Sequence, residues 1–269
     1  MAYIYWSVSP ELISVGPVAI RWYGLFFALL FVIGYAIARW QFRIEAKSDQ
    51  HLDSLLVHVV LGTIIGARLG HVFFYDPAYF LSHPWEIPAF WRGGLASHGG
   101  ALGVLAAVYL YSRKHADQPF LWLMDRIVVP TALGGCLIRL GNLFNSEILG
   151  EPSRVPWAFV FTHVDSLPRH PAQLYESAAY LLIFCCLLPL YRHFRAQTPA
   201  GLLLGLFLVA VFSARFLIEF VKERQAVYEQ ALPLSVGQLL SFPFILAGGW
   251  LVWRALSRAP DRPEIGVTS

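Results

Sequence analysis

The sequence predicts an all-α polytopic membrane protein with about seven transmembrane helices and a small outward-facing cap built from its long loops. Three observations carry that expectation. Of 269 residues, 57% are hydrophobic and only 14% charged, against roughly 25% charged in ordinary soluble domains. Mean hydropathy is +0.56. The apolar residues fall in continuous runs close to the ~20 residues a spanning helix needs, and do not alternate. Inside lipid every backbone group must pair within its own segment, which favours helices for such runs.

The runs, in order, are 17–39, 55–75, 95–111, 120–140, 172–191, 200–220 and 234–253. Residues 1–256 form one integral membrane domain, and the Pro-rich, polar stretch 257–269 is a disordered cytoplasmic tail. The opening residues 1–10 have no basic stretch followed by a short apolar core, so no cleaved signal is expected there. Gly62, Gly66 and Gly70 recur every fourth residue in the second run, a pattern of close helix packing.

Lys and Arg counting orients the chain. The short loops and tail carry Arg39, Arg43, Lys47, Arg113, Lys114, Arg192, Arg195, Arg254, Arg258 and Arg262, which makes them cytoplasmic. The opposite side holds six basic residues over much greater length: Arg21, Arg92, Arg154, Arg169, Lys222 and Arg224. The N-terminus and the loops 76–94 and 141–171 therefore face outward. Their Tyr79, Trp85, Trp91 and Trp157 suit a membrane interface.

A net charge of +3 gives no reason to expect nucleic acid. Cys136, Cys185 and Cys186 lie in apolar runs and read as packing residues, not as a disulfide framework. The nine histidines are scattered without metal-ligand spacing, so no metal is expected, and there is no phosphate-binding glycine loop or nucleophile elbow. Arg68 and His71, inside the second run, are the nearest thing to a buried proton relay.

Five polar clusters interrupt this apolar background. Arg139, Asn142, Asn145 and Glu147, closed by Gly150, stand at the outer end of the fourth run, where an ionisable group is a functional-site candidate by default. Arg215 and Glu219, four apart, share a helix face, so the carboxylate would orient the guanidinium. Arg139 and Arg215 could then clamp one phosphate, because a guanidinium donates two parallel hydrogen bonds. His98, followed by Gly99 and Gly100, has room for a close ligand and is a candidate general base. His170-Pro171 leads into Gln173, Tyr175 and Glu176 in the first turn of the fifth run. Tyr23 lies near the outer end of the first.

With these residues on the page, the chain resembles the bacterial prolipoprotein diacylglyceryl transferase family over nearly its whole length. Its signature Arg-x-Gly-Asn-Phe-x-Asn-x-Glu-x-x-Gly is similar to Arg139, Gly141, Asn142, Asn145, Glu147 and Gly150, with Leu143 in place of Phe. The family's His-Gly-Gly matches His98–Gly100. Its His-Pro-x-Gln-Leu-Tyr-Glu matches His170–Glu176, its Arg-x-x-x-Glu matches Arg215 and Glu219, and its Tyr-Gly matches Tyr23-Gly24. Two positions depart: Val211 stands where the family often has Tyr, and Phe220-Val-Lys222 stands where it often has Phe-x-Arg.

The resemblance implies transfer of the diacylglyceryl group of phosphatidylglycerol to the lipobox cysteine of preprolipoprotein signal peptides, in the bacterial inner membrane, without cofactor. Arg139 and Arg215 would hold the phosphate, with Glu147 and Glu219 orienting them. His98 would take the thiol proton, with Glu147 as a competing base. Asn142, Asn145, Tyr23, Gly99, Gly100, Gly150, Gln173, Tyr175 and Glu176 would contact substrate. The alternative is a lipid transporter using the same arginines.

Overall fold

A computed structural model describes residues 3–16, 18–224 and 233–258. Most of the predicted tail, residues 259–269, therefore lies outside the described residues. The chain is predominantly helical and divides into two compact units, residues 1–37 with 125–269 and residues 38–124.

The first unit begins with β1 (Ile4–Trp6), β2 (Glu11–Val15) and β3 (Val18–Arg21). β2 and β3 form an antiparallel hairpin turning at Gly16, whose φ of +58° suits glycine. That hairpin moves the first span. The expected start near residue 17 becomes α1 (Trp22–Ile44), because residues 18–21 are taken by β3. α5 (Phe120–Phe144), like α1, contributes residues to both units. Beyond it lie β4 (Phe159–Phe161), β5 (Pro168–Arg169), α6 (Ala172–Phe194), α7 (Leu202–Ile218) and α8 (Val236–Ser257).

β1 pairs in parallel with β4, and β4 antiparallel with β5, so the N-terminal strand ties down the long loop after α5. Leu143, Leu149, Phe159 and Phe161 form a buried cluster there, against Trp6 and Leu174. Inside the unit, the Asp125 carboxylate accepts hydrogen bonds from the amides of Gly201 (2.7 Å) and Leu204 (2.9 Å), capping α7 from another helix. α7 and α8 cross at Gly205 and Gly248, where a Cβ on either would come within 2.8 Å of the other's carbonyl oxygen.

The second unit is built on α2 (Asp49–Phe74), α3 (Pro77–Ser82) and α4 (Ser97–Lys114). Ser48 caps α2 by accepting from the His51 amide. Gly62, Gly66 and Gly70 of α2 do pack closely, against Gly99 and Gly103 of α4, backbone on backbone. Gly99 is one of these close approaches: a Cβ there would strike the Gly66 carbonyl.

Among the described residues six helices are long and apolar enough to cross a membrane, rather than about seven: α1, α2, α5, α6, α7 and α8. α4 is the difference. Its 18 residues open on Ser97-His98-Gly-Gly and close on Arg113-Lys114, which leaves too short an apolar centre. The cysteines are free; Cys136 is buried, whereas Cys185 and Cys186 are exposed on α6 instead of packed.

Candidate active site

α5 ends in a turn that presents the first polar cluster. Asn142 remains helical and buried, and Ser146 and Ile148 take positive φ of 51° and 58°. Such a conformation is rare for a β-branched residue and costs on the order of 1–3 kcal/mol. The turn persists because its neighbours hold it. The Gln173 amide nitrogen donates to the Glu147 carbonyl at 2.6 Å, and the Gly150 amide donates to the His170 carbonyl at 3.2 Å.

Arg139 is held differently from the sequence expectation. Its Nε lies 3.0 Å from Glu176 Oε2, and its Nη1 donates to Asn142 Oδ1 at 3.1 Å. Glu147 instead accepts from the side-chain amides of Asn142 (2.8 Å) and Asn145 (3.3 Å). It reaches Arg139 only through Asn142. The carboxylate on Arg139 comes from α6, where Glu176 is buried.

The expected Arg215–Glu219 pair is absent among the described residues. Glu219 sits at the C-cap of α7 with its amide still bonded to the Arg215 carbonyl, so the backbone register is kept and it is the side chain that turns away. Its carboxylate lies against Gly237 in the first turn of α8, where a Cβ would be 2.7 Å from Cδ; a helix N-terminus favours negative charge. Lys222 takes over the pairing. Its Nζ is 3.3 Å from Glu176 Oε1 and 3.9 Å from Glu219 Oε2, with 8% of the side chain exposed. Arg215 keeps a buried Nε with no partner among the described residues.

Arg139, Glu176, Tyr180 and Arg215 line one cleft of about 290 Å³ between α5, α6 and α7. Its remaining walls are apolar: Ala179, Ile183, Val211, Ala214 and Ile218. Tyr23 packs its ring on Gly141 and lies close enough to Arg139 and Glu147 to feel both charges. The structure thus brings together Arg139, Asn142, Asn145, Glu147, Glu176, Arg215, Glu219 and Tyr23.

The other expected contact residues have these surroundings. Gln173 is fully buried under the turn. Tyr175 accepts from Trp157 Nε1 at 2.7 Å and meets His170 Nδ1 at 3.0 Å. Gly150 is a close approach: a Cβ would strike the His170 carbonyl and come within 2.8 Å of the Val221 carbonyl. Gly100 is buried against Thr63 and Ala67. His98 belongs to the second unit, exposed at the second position of α4.

Sequence reading counted Lys222 only as an outer-side charge, missed Tyr180, and counted Arg169 only as a loop charge. Spacing held the first two: Lys222 follows Glu219 by three, and Tyr180 follows Glu176 by four. Arg169 is buried and bonded to Asp165 (2.6 Å), Glu223 (3.2 Å) and the Gly150 carbonyl (3.2 Å). It holds the Asp165 carboxyl below the usual carboxylate range, and Asp165 in turn raises the Arg169 guanidinium.

A family model described as prolipoprotein diacylglyceryl transferase matches residues 10–254. Curated relatives carry the name phosphatidylglycerol–prolipoprotein diacylglyceryl transferase. One from Chloroherpeton thalassium is 54% identical over 258 residues, covering 96% of each chain. Another from Tolumonas auensis is 50% identical over 245 residues, covering 91% of this chain and 95% of that one. A third from Porphyromonas gingivalis is 44% identical, covering 95% of each.

Proposed function

The chain belongs to the prolipoprotein diacylglyceryl transferase family, and on that premise we propose how its cleft carries out the transfer. The donor is phosphatidylglycerol, and the acceptor is the lipobox cysteine thiol of a preprolipoprotein signal peptide. The thiolate attacks the lipid glycerol carbon that bears the phosphate ester. A C–S thioether bond forms, the C–O bond breaks, and its electron pair leaves on glycerol-1-phosphate. The thiol proton passes to a base, because the thiolate is the nucleophile. The protein does this in the bacterial inner membrane; loops 76–94 and 141–171 share the outer side, with the C-terminus in the cytoplasm, only if the shorter α4 crosses along with the six longer helices.

One observation carries the reading: Arg215, whose buried Nε has no partner among the described residues, stands beside Arg139 in one cleft with mostly apolar walls. With Glu147 set apart on the amides of Asn142 and Asn145, the cations Arg139, Lys222 and Arg215 face two carboxylates, Glu176 and Glu219, and one positive charge is left over. A phosphodiester monoanion neutralises it. As the C–O bond breaks, negative charge grows on the departing phosphate, and fixed cations in a dry site stabilise that growth more than the ground state. Asn142, Asn145 and Tyr23 supply hydrogen bonds for the glycerol head. Glu147, through Asn142, orients Arg139. His98 is the assigned base, on its side-chain chemistry and exposure.

The transporter reading, which arginines in apolar helices would allow, has no support from relatives that carry a transferase name. The test is mass spectrometry of a lipobox peptide incubated with purified protein and phosphatidylglycerol. A diacylglyceryl mass gain that requires the peptide cysteine is expected. Transfer of intact lipid between vesicles without any peptide adduct would refute the proposal. For the base, full activity of His98→Asn across pH 6 to 8 would remove His98 from the mechanism.

A further inference from the structure

The cleft contains one polar group that the transfer described above does not use. Tyr180 lies on α6 four residues after Glu176, on the same helix face, and lines the cleft with both arginines. Its ring is set by α5: a Cβ at Gly135 would fall 2.6 Å from Tyr180 Cδ1, so the ring fills the space that glycine leaves. A ring fixed in this way specifies where its hydroxyl points.

The hydroxyl is only half engaged. The Arg139 guanidinium lines the same cleft close by, and a guanidinium has donors only, so toward Arg139 the phenol oxygen can only accept. The phenol's own proton has no acceptor among the described residues. The charges of Arg139, Glu176 and Arg215 all reach this oxygen, two cations against one carboxylate, so an anion drawn in by the two arginines arrives beside an unused donor. The facing wall of α7 offers nothing comparable, since Val211, one turn before Arg215, is apolar.

We propose that the Tyr180 hydroxyl is a third ligand of the substrate phosphodiester, donating its free proton to a phosphate oxygen while Arg139 holds its own oxygen in place. No proton is transferred, and Tyr180 stays a neutral phenol throughout. The hydrogen bond strengthens as the phosphate gains charge in the transition state, so its contribution falls mainly on kcat. The proposal rests on reading the cleft as the headgroup site.

Tyr180→Phe keeps the ring in the space beside Gly135 and removes only the hydroxyl. In detergent-solubilised protein with phosphatidylglycerol and a lipobox peptide, kcat is expected to fall roughly 10- to 100-fold, the worth of one hydrogen bond to a charged group. KM for the lipid should change far less. Affinity for glycerol phosphate should fall in parallel with kcat. Unchanged kcat and unchanged glycerol phosphate affinity would overturn the proposal.

A ring-fluorinated tyrosine at position 180 separates donation from mere positioning. Its phenol ionises nearer neutrality, so a donor role predicts a new loss of rate on the alkaline side. A residue that only positions Arg139 would grip it more tightly as phenolate and show no such loss, and that result would sink the donor role. Arg139→Ala in the same assay keeps the two readings distinguishable. If it loses glycerol phosphate affinity while Tyr180→Phe does not, only the Tyr180 assignment fails. If neither variant loses affinity, the headgroup reading fails and takes the assignment with it.

Discussion

Arg68 and Arg215 are the same residue type on the same kind of apolar helix, yet their surroundings give them opposite jobs. Arg68, in the second unit, is saturated. Its guanidinium donates to the backbone carbonyls of Glu86 (2.7 Å), Ile87 (2.8 Å), Gly93 (2.8 Å) and Gly94 (3.2 Å), and lies over the Phe80 ring. Gly93 and Gly94, at φ of 89° and 68°, turn the loop so that both carbonyls reach the same cation. Arg68 is a staple for residues 84–94, not part of a proton relay. Arg215, in the first unit, has lost the carboxylate its spacing promised and retains a buried donor. A cation on an apolar helix is therefore not functional in itself; what matters is whether the fold has already spent its donors.

The largest expected effect breaks the comparison from the Arg215 side. Arg215→Ala and Arg139→Ala should each lower kcat by about 100-fold or more, the range seen when a donor to a developing anion is removed. Circular dichroism should show the helices intact. Arg139→Lys keeps the charge and loses the planar fork, so it should stay severely impaired. Wild-type transfer by Arg139→Ala would end the phosphate assignment.

Lys222 comes next, because it is what frees Arg215. Lys222→Met leaves Glu176 and Glu219 without their shared cation, and breaking a buried pair in this way costs about 3–5 kcal/mol. Glu219 is then expected to turn back toward Arg215, so thermal stability and glycerol phosphate affinity should both fall. Lys222→Arg should recover most of each. The double variant Lys222→Met/Glu219→Gln restores the site's single positive charge and should recover part of the affinity. If it binds no better than Lys222→Met alone, charge balance is not how Lys222 acts.

From the Arg68 side the expected loss is of a different kind. Arg68→Met should speed proteolytic cleavage within residues 84–94 and lower Tm, while glycerol phosphate affinity stays at the wild-type level. A matching loss of affinity would show that Arg68 is not only a staple.

The smallest effect concerns Asp165 and Arg169, at the edge of the first unit. The folded Asp165 pKa is lowered by Arg169, so the pair stabilises the fold above the unfolded carboxylate value of about 3.9. That contribution disappears as pH falls through the lower folded value. Asp165→Asn should accordingly reduce Tm slightly at neutral pH and converge with wild type in strong acid. Because Asp165 is partly exposed, salt should weaken the difference.

Much of the site was legible in one dimension. Arg139, Asn142, Asn145 and Glu147 fall within nine residues, and the structure keeps them in one hydrogen-bonded group. Their charge and amide density inside an apolar chain was enough to find them. Glu219 was misread because spacing puts two residues on one helix face without saying which neighbour a side chain turns to, and Gly237 and Lys222 lie within its reach. The packing role of Gly99 was not legible, because a glycine beside a histidine looks the same in sequence whether or not another backbone lies against it. Tyr180 was missed because an aromatic on a spanning helix resembles any lipid-facing residue until a glycine on another helix is seen to make room for it.

The sequence by itself determined the solvent this protein lives in, the helices that meet it, and the few groups too polar to be there without a role. These are properties of composition and of runs about 20 residues long, and each can be read locally. Only the tertiary structure decided which carboxylate answers which cation. Ion pairs and hydrogen bonds form over 3 to 4 Å, between groups that helix packing brings together from distant parts of the chain. Glu176 reached Arg139 across α5 and α6, Lys222 drew Glu219 away, and Arg215 was left as the cation with a donor to spare.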